Sequence, residues 1–320
     1  MHNDWVVILS GGEGTRLGPL VQEWLGASIP KQYCRFFGNC SLLEQTFLRA
    51  LALTTREQVV TVAGHGHSRH LRSQGIHLEG SVFLEQPAAL GTFVGILMGA
   101  AYVDSVNPGA TILILPSDHF VHPETLFREH AARLLTVARR LKRYMVLMAV
   151  PSSRVESEYG WIRPGKSVAA RGAGKSVFRI ERFHEKPGPV VAKTYLREGF
   201  FWNTMITAVW LPTLWRITRE YSPELFASFR LVRDVLNAMG RGRAGEQRLE
   251  PAIARAYQAA GEVDFSRHLL QKMPKQTLAL VASGFIWSDW GRAERITESL
   301  AQIGCRPLFE GEPTSPHAAA

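Results

Sequence analysis

The fold is decided by the apolar run Trp5–Leu9 (WVVIL), which leads directly into the glycine-rich stretch Ser10–Leu17 (SGGEGTRL). A short run of wholly apolar residues is typical of a buried strand. The closely spaced glycines that follow let backbone N–H groups approach an anion without a clash from Cβ atoms. Together the two segments predict a strand of an α/β sheet that ends in a phosphate-binding loop.

Short apolar runs alternate with stretches of helical length along the following part of the chain. The predicted strands are Val59–Ala63, Val82–Leu84, Thr111–Leu115 and Met145–Val150. The predicted helices are Leu42–Leu53, Gly91–Val103 and Thr125–Arg143. This alternation predicts a Rossmann-like α/β fold with a mostly parallel central sheet and helices on both of its faces. Ligands of such sheets bind beyond the carboxyl ends of the strands, so the residues after each strand are the functional candidates.

The sequence changes character after Val150. Residues 160–174 are rich in Gly and Arg, and Val177–Phe183 alternates as a half-exposed strand does. This pattern predicts a β-hairpin subdomain that faces the same ligand cleft. No Ser/Gly-rich linker divides the chain, so we expect one domain over residues 1–300 and a partly disordered C-terminal tail over residues 301–320.

The composition of the 320 residues is that of a globular protein, with 46% hydrophobic and 20% charged residues. It excludes a disordered chain, a fibre and a disulfide-rich miniprotein. The longest apolar stretch, Gly91–Val103, is shorter than the roughly 20 residues that a membrane-spanning helix needs. The N-terminus lacks the basic segment of a signal peptide, and the three cysteines are too few for a disulfide framework. We expect a cytoplasmic protein that does not bind a membrane.

The formal net charge of +9 raises the question of nucleic-acid binding. The densest basic cluster, Arg133–Arg143, lies in the predicted helix Thr125–Arg143, where it is typical of a solvated helix face. No zinc-finger spacing, RNA-binding motif or basic zipper accompanies it. We therefore expect no nucleic-acid partner.

Other motifs for phosphate binding and for nucleophilic catalysis fail. The dinucleotide motif G-x-G-x-x-G has Leu17 in place of its third glycine. A P-loop that ends at Gly174-Lys175-Ser176 has Ala169 in place of its first glycine, and we expect that segment to be a hairpin tip. No G-x-S-x-G nucleophile elbow is present, which argues against catalysis by an activated serine.

A tight histidine cluster follows the predicted strand Val59–Ala63 and consists of His65, His67 and His70. Histidine is a common zinc ligand, but a zinc site needs a fourth ligand at suitable spacing, and none is near in the sequence. We expect a polar loop there, and the sequence leaves the role of the cluster open.

The glycine-rich stretch is followed by Pro30-Lys31-Gln32-Tyr33, and the two segments together resemble the signature of sugar-1-phosphate nucleotidylyltransferases. The resemblance is strongest to the mannose-1-phosphate guanylyltransferases, or GDP-mannose pyrophosphorylases. Further segments match in the same order: Leu115-Pro116-Ser117-Asp118-His119, Tyr159-Gly160-Trp161-Ile162, Phe183-His184-Glu185-Lys186-Pro187, Trp202-Asn203-Thr204 and Trp287-Ser288-Asp289-Trp290-Gly291. The resemblance covers about residues 5–300, and so many short motifs in the right order are hard to obtain by chance.

Enzymes of this kind join a sugar 1-phosphate to the α-phosphate of a nucleoside triphosphate and release pyrophosphate. The attacking group is already a phosphate anion, so the reaction needs no general base. It needs in-line alignment and neutralised repulsion between two anions. The resemblance implies that the catalytic residues are Arg16, Lys31 and Asp118. It also implies that Asp118 and Asp289 bind Mg²⁺, a cation that prefers oxygen ligands.

The resemblance assigns the two substrates to separate groups of residues. The implied nucleotide-binding residues are Gly11, Gly12, Gly14, Thr15, Arg16, Gln86, Gly91 and Thr92. The implied residues for the sugar 1-phosphate are Gly160, Glu185, Lys186 and Asn203, of which Lys186 holds the phosphate. We expect these small-molecule substrates to be the partners of the protein, and the sequence leaves open whether it forms a homodimer.

Two positions depart from the family pattern. Most guanylyltransferases of this type have Glu-Pro and then Arg-Asn-Thr in the base-recognition segment, whereas this chain has Gln86-Pro87, with Ala89-Leu90 in place of polar residues. A glutamine both donates and accepts hydrogen bonds, so it does not single out guanine. Met205 stands where a glycine is common, which predicts an altered sugar pocket.

The sequence therefore predicts Mg²⁺-dependent nucleotidyl transfer in which GTP and mannose 1-phosphate give GDP-mannose. One alternative keeps the chemistry and changes the base or the sugar, as in glucose-1-phosphate thymidylyltransferases. Another alternative is a non-catalytic regulator that binds a sugar nucleotide, against which the intact set of charged motif residues argues. The chain lacks the long C-terminal extension of bifunctional guanylyltransferase/isomerase relatives, so we expect no isomerase activity.

Overall fold

The computed structural model of the chain describes residues 3–168, 176–240 and 246–311. The strands are β1 (Asp4–Ser10), β2 (Val59–Ala63), β3 (Val82–Glu85), β4 (Thr111–Pro116), β5 (Phe120–His122), β6 (Met145–Pro151), β7 (Gly160–Ser167), β8 (Val177–Glu185), β9 (Phe201–Trp210), β10 (Thr277–Val281) and β11 (Ile286–Ser288). Each strand that the sequence predicts is present, with ends that differ by at most a few residues.

The helices are α1 (Gly18–Leu25), α2 (Leu42–Leu51), α3 (Ser68–Ser73), α4 (Thr92–Val106), α5 (Glu124–Arg140), α6 (Pro189–Arg197), α7 (Leu211–Tyr221), α8 (Pro223–Gly240), α9 (Glu246–Ala259), α10 (Phe265–His268) and α11 (Ala293–Ala301). They include the three helices that the sequence predicts. Among the described helices, none has the length and apolar character that crossing a membrane requires.

One large sheet of nine strands has the order β3-β2-β1-β4-β9-β6-β10-β8-β7. Strand β1 is parallel to both of its neighbours, with Val6 beside Val59 of β2 and Leu113 of β4. Strands β8 and β9 run against the others, because β9 is antiparallel to β4 and β6 and β8 is antiparallel to β10 and β7. The prediction of a Rossmann-like, mostly parallel sheet is confirmed, with β9 inserted at its centre.

Two apolar cores lie on opposite faces of this sheet. Along β1, Trp5 and Val7 belong to one core, whereas Val6 and Ile8 belong to the other. Helices α4, α7, α8 and α9 cover the first face, and α2 and α5 cover the second. Burial on both faces explains why residues Trp5–Leu9 of β1 are all apolar rather than alternating. The predicted arrangement of helices on both faces is confirmed.

Local sequence signals set the starts of several helices. Ser41 and Glu44 form a capping box at the start of α2, in which each side chain accepts the backbone N–H of the other residue. Helix α4 begins after Gly91, and α5 begins directly after Pro123. Because α4 follows the loop after β3, its first residues lie at the carboxyl edge of the sheet.

Strands β7 and β8 form the predicted hairpin, in which Gly160 lies opposite Glu185. Strand β7 also pairs with the start of β9, where Gly160 lies opposite Asn203. Three antiparallel strands thus bring the predicted sugar residues to one part of the sheet. Gly174 and Lys175, which the sequence assigns to a hairpin tip, lie outside the described residues.

The described part of the predicted tail packs on the body of the protein. The backbone N–H of Leu308 donates to the carbonyl oxygen of Phe36 at 2.8 Å. The ring of Phe309 packs edge-on against the rings of Trp24 and Phe36. Residues 301–311 are therefore attached to the domain, whereas residues 312–320 lie outside the described part of the chain.

The basic cluster Arg133–Arg143 makes contacts within the protein. Arg139 pairs with the carboxylate of Asp4, and the ammonium group of Lys142 lies 4.6 Å from the ring centre of Trp210. Helix α5 ends at Arg140, so Arg133, Arg139 and Arg140 lie on the helix as predicted, whereas Lys142 and Arg143 follow it.

Candidate active site

A cleft of about 480 Å³ opens at the carboxyl edge of the sheet. Its walls come from the ends of β1 to β4, from the region where β7, β8 and β9 meet, and from the loop before α10. The predicted site residues that line it are Gly11, Gly12, Arg16, Lys31, Gln86, Gly91, Thr92, Asp118, Gly160, Glu185, Lys186, Asn203 and Asp289. The fold therefore brings motifs from widely separated parts of the sequence into one cleft.

Gly14 and Thr15 are predicted nucleotide-binding residues that do not line this cleft. Gly14 has a φ of +64°, and a Cβ atom there would lie 2.9 Å from the backbone nitrogen of Lys31. This glycine therefore permits the close approach of two loops instead of contacting the space for a ligand. Thr15 begins a short 3-10 turn, and the next residue, Arg16, reaches the cleft.

The side chain of Gln32 holds the glycine-rich loop in position. Its amide group donates to the carbonyl oxygens of Ser10 at 3.2 Å and Gly12 at 2.7 Å. Gln32 is buried, so these hydrogen bonds are shielded from water. The loop is thus shaped by the protein itself, with its backbone fixed next to the space for an anion.

The histidine cluster supports the same loop. Nδ1 of His67 lies 3.1 Å from the carbonyl oxygen of Ser10. Nδ1 also lies 3.1 Å from the hydroxyl of Tyr33, whose ring stacks on that of His70. Burial raises the pKa of Tyr33 to about 12. Among the described residues no group of three or more His, Cys, Asp or Glu side chains is arranged to hold a metal ion. His67 and His70 are buried, so the cluster differs from the expected polar loop.

The ammonium group of Lys31 lies at the charged end of the cleft. Its Nζ is 3.0 Å from Oδ2 of Asp118, and it donates to the backbone carbonyls of Asp289 and Trp290. Only 7% of the Lys31 side chain is exposed. Burial opposes the charged form of Asp118, but the neighbouring Lys31 outweighs it and holds the pKa of Asp118 below its usual range. The carboxylate of Asp118 is thus kept charged beside the ammonium group of Lys31.

Asp289 lines the cleft directly after β11, a short strand that is not predicted from the sequence. The apolar run Leu278–Ala282 predicts a strand before Asp289. The structure has this strand as β10, and the further strand β11 lies between it and Asp289. Strand β11 pairs with β5, which begins just after Asp118, and Ser288 lies opposite Phe120. This short pairing, rather than the large sheet, brings the two aspartates together.

Three donors fix one oxygen of the Asp289 carboxylate. Oδ1 accepts from the hydroxyl of Tyr159 at 3.0 Å, the backbone N–H of Gly291 at 3.0 Å and the guanidinium of Arg295 at 2.7 Å. Burial opposes ionisation, but Lys31 and Arg295 outweigh it and hold the pKa of Asp289 well below its usual range. No role is predicted for Tyr159 or Arg295 from the sequence, although Tyr159 lies in a matched motif.

The guanidinium group of Arg16 is bound by carboxylates. It lies 2.9 Å from Oε2 of Glu158 and 3.5 Å from Oδ2 of Asp289. Glu158 also accepts from Arg292 and Arg295, at 2.6 and 2.7 Å. Glu158 lines the cleft and was not predicted, and its position directly before the Tyr159-Gly160 motif is the one sequence signal for it.

Gly160, Glu185 and Asn203 pack tightly at the other end of the cleft. A Cβ atom at Gly160 would lie 2.6 Å from Oε2 of Glu185 and 3.2 Å from Cβ of Asn203, so glycine permits this contact. Burial raises the pKa of Glu185 to about 7, against the opposing effect of the Lys186 ammonium group 3.6 Å away. This end therefore offers a carboxyl group, an amide and a cation to a polar ligand.

Strained backbone conformations concentrate around the cleft. Of the described residues other than glycine, those with positive φ are Lys186 at +50°, Met205 at +67° and Trp290 at +45°. Lys186 and Met205 line the cleft, and Trp290 follows Asp289. Such conformations cost roughly 1–3 kcal/mol each and cluster at functional sites. Their distribution supports the cleft as the active site.

Gln86 lies on the floor of the cleft at the end of β3. Its Nε2 donates to the carbonyl oxygen of Ala63 at 3.2 Å, and its Oε1 accepts from the hydroxyl of Tyr257 at 3.0 Å. These bonds fix the orientation of the amide and leave one N–H and one lone pair outside them. Tyr257 belongs to α9 and was not predicted, because its contact with Gln86 spans 171 residues of sequence.

The loop before α10 closes against the start of α4. Gly91 has a φ of +87°, and a Cβ atom there would lie 2.6 Å from the carbonyl oxygen of Val263. The backbone N–H of Phe265 donates to the hydroxyl of Thr92 at 3.1 Å. Gly91 and Thr92 therefore fix the wall of the cleft as well as line it.

The carboxylates of Asp118 and Asp289 suit Mg²⁺ that arrives with phosphate groups. The hydrogen bonds from Tyr159, Gly291 and Arg295 all go to Oδ1 of Asp289. Oδ2 accepts none of these three bonds and lies 3.5 Å from the Arg16 guanidinium, so it is the oxygen that suits a cation. Mg²⁺ is commonly held by one or two carboxylates, with waters and phosphate oxygens as its other ligands. The residues present therefore fit this metal.

The chain belongs to the nucleotidyl transferase family, whose model matches residues 5–304. The family that the sequence motifs indicate is thus confirmed. Enzymes of this family generally use divalent metal ions.

More particular similarities come from individual relatives. The xanthan biosynthesis protein XanB of Xanthomonas campestris pv. campestris strain B100 is 32% identical over 203 residues, which are 62% of this chain and 40% of that protein. The mannose-1-phosphate guanylyltransferase of Escherichia coli is 29% identical over 203 residues, 62% of this chain and 41% of that protein. The chain thus spans about two fifths of the length of these relatives.

Solved structures agree with the fold. The mannose-1-phosphate geranyltransferase from Thermus thermophilus has a TM-score of 0.74 at 25% identity, over 94% of this chain and 80% of that chain. A UDP-glucose pyrophosphorylase complexed with UDP-glucose has a TM-score of 0.56 at 14% identity, over 95% of this chain and 99% of that chain. The second likeness concerns the fold alone.

Proposed function

We propose that the protein transfers a nucleotidyl group from a nucleoside triphosphate to a sugar 1-phosphate and releases pyrophosphate. We propose GTP and mannose 1-phosphate as the substrates and Mg²⁺ as the metal. The observation that carries the proposal is the buried cation Lys31, held between Asp118 and the backbone of Asp289 beside a glycine-rich loop. The names of the relatives support the choice of guanine and mannose.

In the proposed reaction, an oxygen of the sugar 1-phosphate attacks the α-phosphorus of the triphosphate. A P–O bond forms, the bond to the bridging oxygen of the β-phosphate breaks, and pyrophosphate leaves with that electron pair. The residues Arg16 and Lys31 neutralise the approaching anions and the charge that develops on the leaving group. When bound by Asp118 and Asp289, Mg²⁺ supplies further positive charge to the phosphate oxygens.

The other end of the cleft suits the sugar. The ammonium group of Lys186 serves the phosphate, and Glu185 and Asn203 serve the sugar hydroxyls. A carboxylate accepts two hydrogen bonds, which suits paired hydroxyl groups. The tight packing at Gly160 supports this assignment, because it holds the carboxyl and amide groups at fixed positions.

The test is pyrophosphate release from a panel of nucleoside triphosphates combined with several sugar 1-phosphates. We expect the highest kcat/KM for GTP with mannose 1-phosphate. A clear preference for dTTP with glucose 1-phosphate would retain the chemistry and overturn the guanylyl assignment. Binding of a sugar nucleotide without turnover of any pair would instead support the regulator.

Gln86→Ala is expected to raise KM for the triphosphate more than KM for the sugar 1-phosphate. Loss of a buried contact to the base costs about 1–3 kcal/mol for each group left unmatched. Tyr257→Phe is the matched control, because it removes the hydroxyl that orients the amide and keeps the amide itself. We expect a smaller change in the same direction. An unchanged triphosphate KM in Gln86→Ala would show that the base is recognised by other residues.

The pH dependence of sugar binding is expected to report on Glu185. Its pKa is raised to about 7, so the carboxylate that accepts hydrogen bonds is present above pH 7 and is lost as the pH falls. KM for the sugar 1-phosphate is expected to rise by up to about tenfold for each pH unit below this value. Glu185→Gln removes the titrating group and leaves the titration of the substrate phosphate. Identical pH profiles of the two proteins would contradict the assignment.

A further inference from the structure

We infer that Met205 limits the size of the sugar that the cleft accepts and excludes sugar 1-phosphates with an acetamido substituent. This inference rests on the proposed function and adds the substrate class. Met205 lines the cleft in a left-handed backbone conformation, with a φ of +67°. Residues with a Cβ atom rarely adopt this conformation, whereas glycine adopts it readily.

A bulge in β9 imposes the conformation. The pairing of β9 with β6 passes from Leu147 opposite Thr207 to Ala149 opposite Asn203, so residues 204–206 of β9 face Met148 alone. The hydroxyl of Thr204 donates to the carbonyl oxygen of Met148 at 2.7 Å, which anchors the bulge. Because β9 runs against its neighbours, the bulge lies at the carboxyl edge of the sheet, where the cleft opens.

Hydrogen bonds at the bulge fix the backbone of Met205 without involving its side chain. Its N–H donates to Oδ1 of Asn203 at 3.2 Å, and its carbonyl oxygen accepts from the hydroxyl of Thr207 at 3.1 Å. A glycine could make both hydrogen bonds in the same conformation without strain. The backbone therefore does not explain why a methionine is present, and the explanation lies in what the side chain fills.

Met205 lies at the sugar end of the cleft, because it lines the cleft and its backbone N–H donates to the side chain of Asn203. It is partly buried and packs against the apolar core on the face covered by α4. It is two residues from Asn203, whose Cβ would be 3.2 Å from a Cβ atom at Gly160. Gly160 of β7 and Asn203 of β9 are thus in close contact at this end of the cleft, which Met205 also lines.

The methionine side chain is similar in size to one substituent that sugars carry. The methionine side chain beyond Cα and an acetamido group contain the same number of non-hydrogen atoms. A close-packed pocket cannot hold both in the same space. The geometry therefore points to hexose 1-phosphates that carry hydroxyl groups alone.

The test compares mannose 1-phosphate with N-acetylglucosamine 1-phosphate, using the full chain, GTP and Mg²⁺. The measured quantity is the ratio of their kcat/KM values in the wild type and in Met205→Gly, Met205→Ala and Met205→Leu. We expect Met205→Gly and Met205→Ala to shift the ratio toward the acetamido sugar by at least about tenfold, the scale of steric discrimination in enzyme pockets. Met205→Leu keeps a side chain of similar volume and is expected to keep the ratio.

Thermal unfolding separates the size of the side chain from the strain of the backbone. Met205→Gly removes both, whereas Met205→Ala removes the bulk and keeps a Cβ atom in the left-handed region. We expect a higher Tm for Met205→Gly than for Met205→Ala. If Met205→Gly does not fold, the ratio in Met205→Ala still decides the question.

Two results would overturn the inference and leave the proposed function intact. One is an unchanged ratio in an active Met205→Ala enzyme, and the other is a wild type that prefers the acetamido sugar. Absence of pyrophosphate release with every sugar 1-phosphate would instead refute the proposed function, and this inference with it.

Discussion

Asp118→Asn is expected to lower kcat by about 100-fold or more, the scale on which lost electrostatic stabilisation is felt in active sites. The amide keeps the size of the side chain but binds Mg²⁺ poorly and no longer balances the charge of Lys31, 3.0 Å away. The concentration of Mg²⁺ that gives half-maximal activity is expected to rise. The measurement is a set of steady-state rates over a Mg²⁺ titration, with circular dichroism to follow the fold.

The control for this variant is an aspartate whose ion pair lies outside the cleft. Asp104 is buried on α4 and lies 3.1 Å from Arg233, and neither residue lines the cleft. Asp104→Asn is expected to lower the Tm and to leave kcat and the Mg²⁺ dependence unchanged. Near-normal turnover of Asp118→Asn at limiting Mg²⁺ would refute the role of Asp118 in metal binding.

Arg16→Ala is expected to lower kcat/KM for the triphosphate by about 2–4 kcal/mol of transition-state stabilisation, or roughly 30- to 1,000-fold. The guanidinium group lies beside the glycine-rich loop and faces the charged end of the cleft. Its ion pair with Glu158 is largely exposed on the Arg16 side, and exposed pairs contribute only about 0–1 kcal/mol to folding. The effect is therefore expected in catalysis, with little change in the free energy of unfolding.

Arg292 offers a matched control for Arg16. It is also an exposed arginine that binds Glu158, at 2.6 Å, but it does not line the cleft. Arg292→Ala is expected to retain most of the activity. A change in Tm alone in Arg16→Ala, with kcat/KM preserved, would show that Arg16 has a structural role.

The strands that the sequence predicts best are those in which consecutive residues are all buried. The apolar runs of β1, β2, β4 and β6 indicate that these strands are buried on both faces, and the glycines after β1 indicate the glycine-rich loop. Strand β9 is not predicted, because Phe201–Trp210 mixes polar and apolar residues around a bulge. The segment therefore has neither an alternation of period two nor an apolar run. Strand β11 is not predicted because it has only three residues.

Residues of the candidate site can be predicted from the sequence where they lie in short motifs. They cannot be predicted where only the fold brings them together. Lys31, Asp118 and Glu185 each lie in one of the short motifs that match the family in order. Arg295 binds Glu158 across 137 residues of sequence, and no local pattern announces that contact. His67 lies in a cluster that attracts attention, but its hydrogen bond to Ser10 depends on the parallel pairing of β1 with β2.

Binding of an anionic ligand in the cleft replaces ion pairs within the protein, because Arg16, Lys31 and Lys186 each lie beside a carboxylate. Each cation has an anionic partner within the protein, at 2.9, 3.0 and 3.6 Å respectively. An incoming triphosphate therefore competes with protein carboxylates for Arg16 and Lys31, and the phosphate of the sugar competes with Glu185 for Lys186. A site of unpaired cations would release more counterions when it binds an anion. The affinity of this cleft for the triphosphate should therefore depend only weakly on ionic strength. Singly charged anions such as chloride compete poorly in such an exchange, so the cleft favours ligands that carry several negative charges at once.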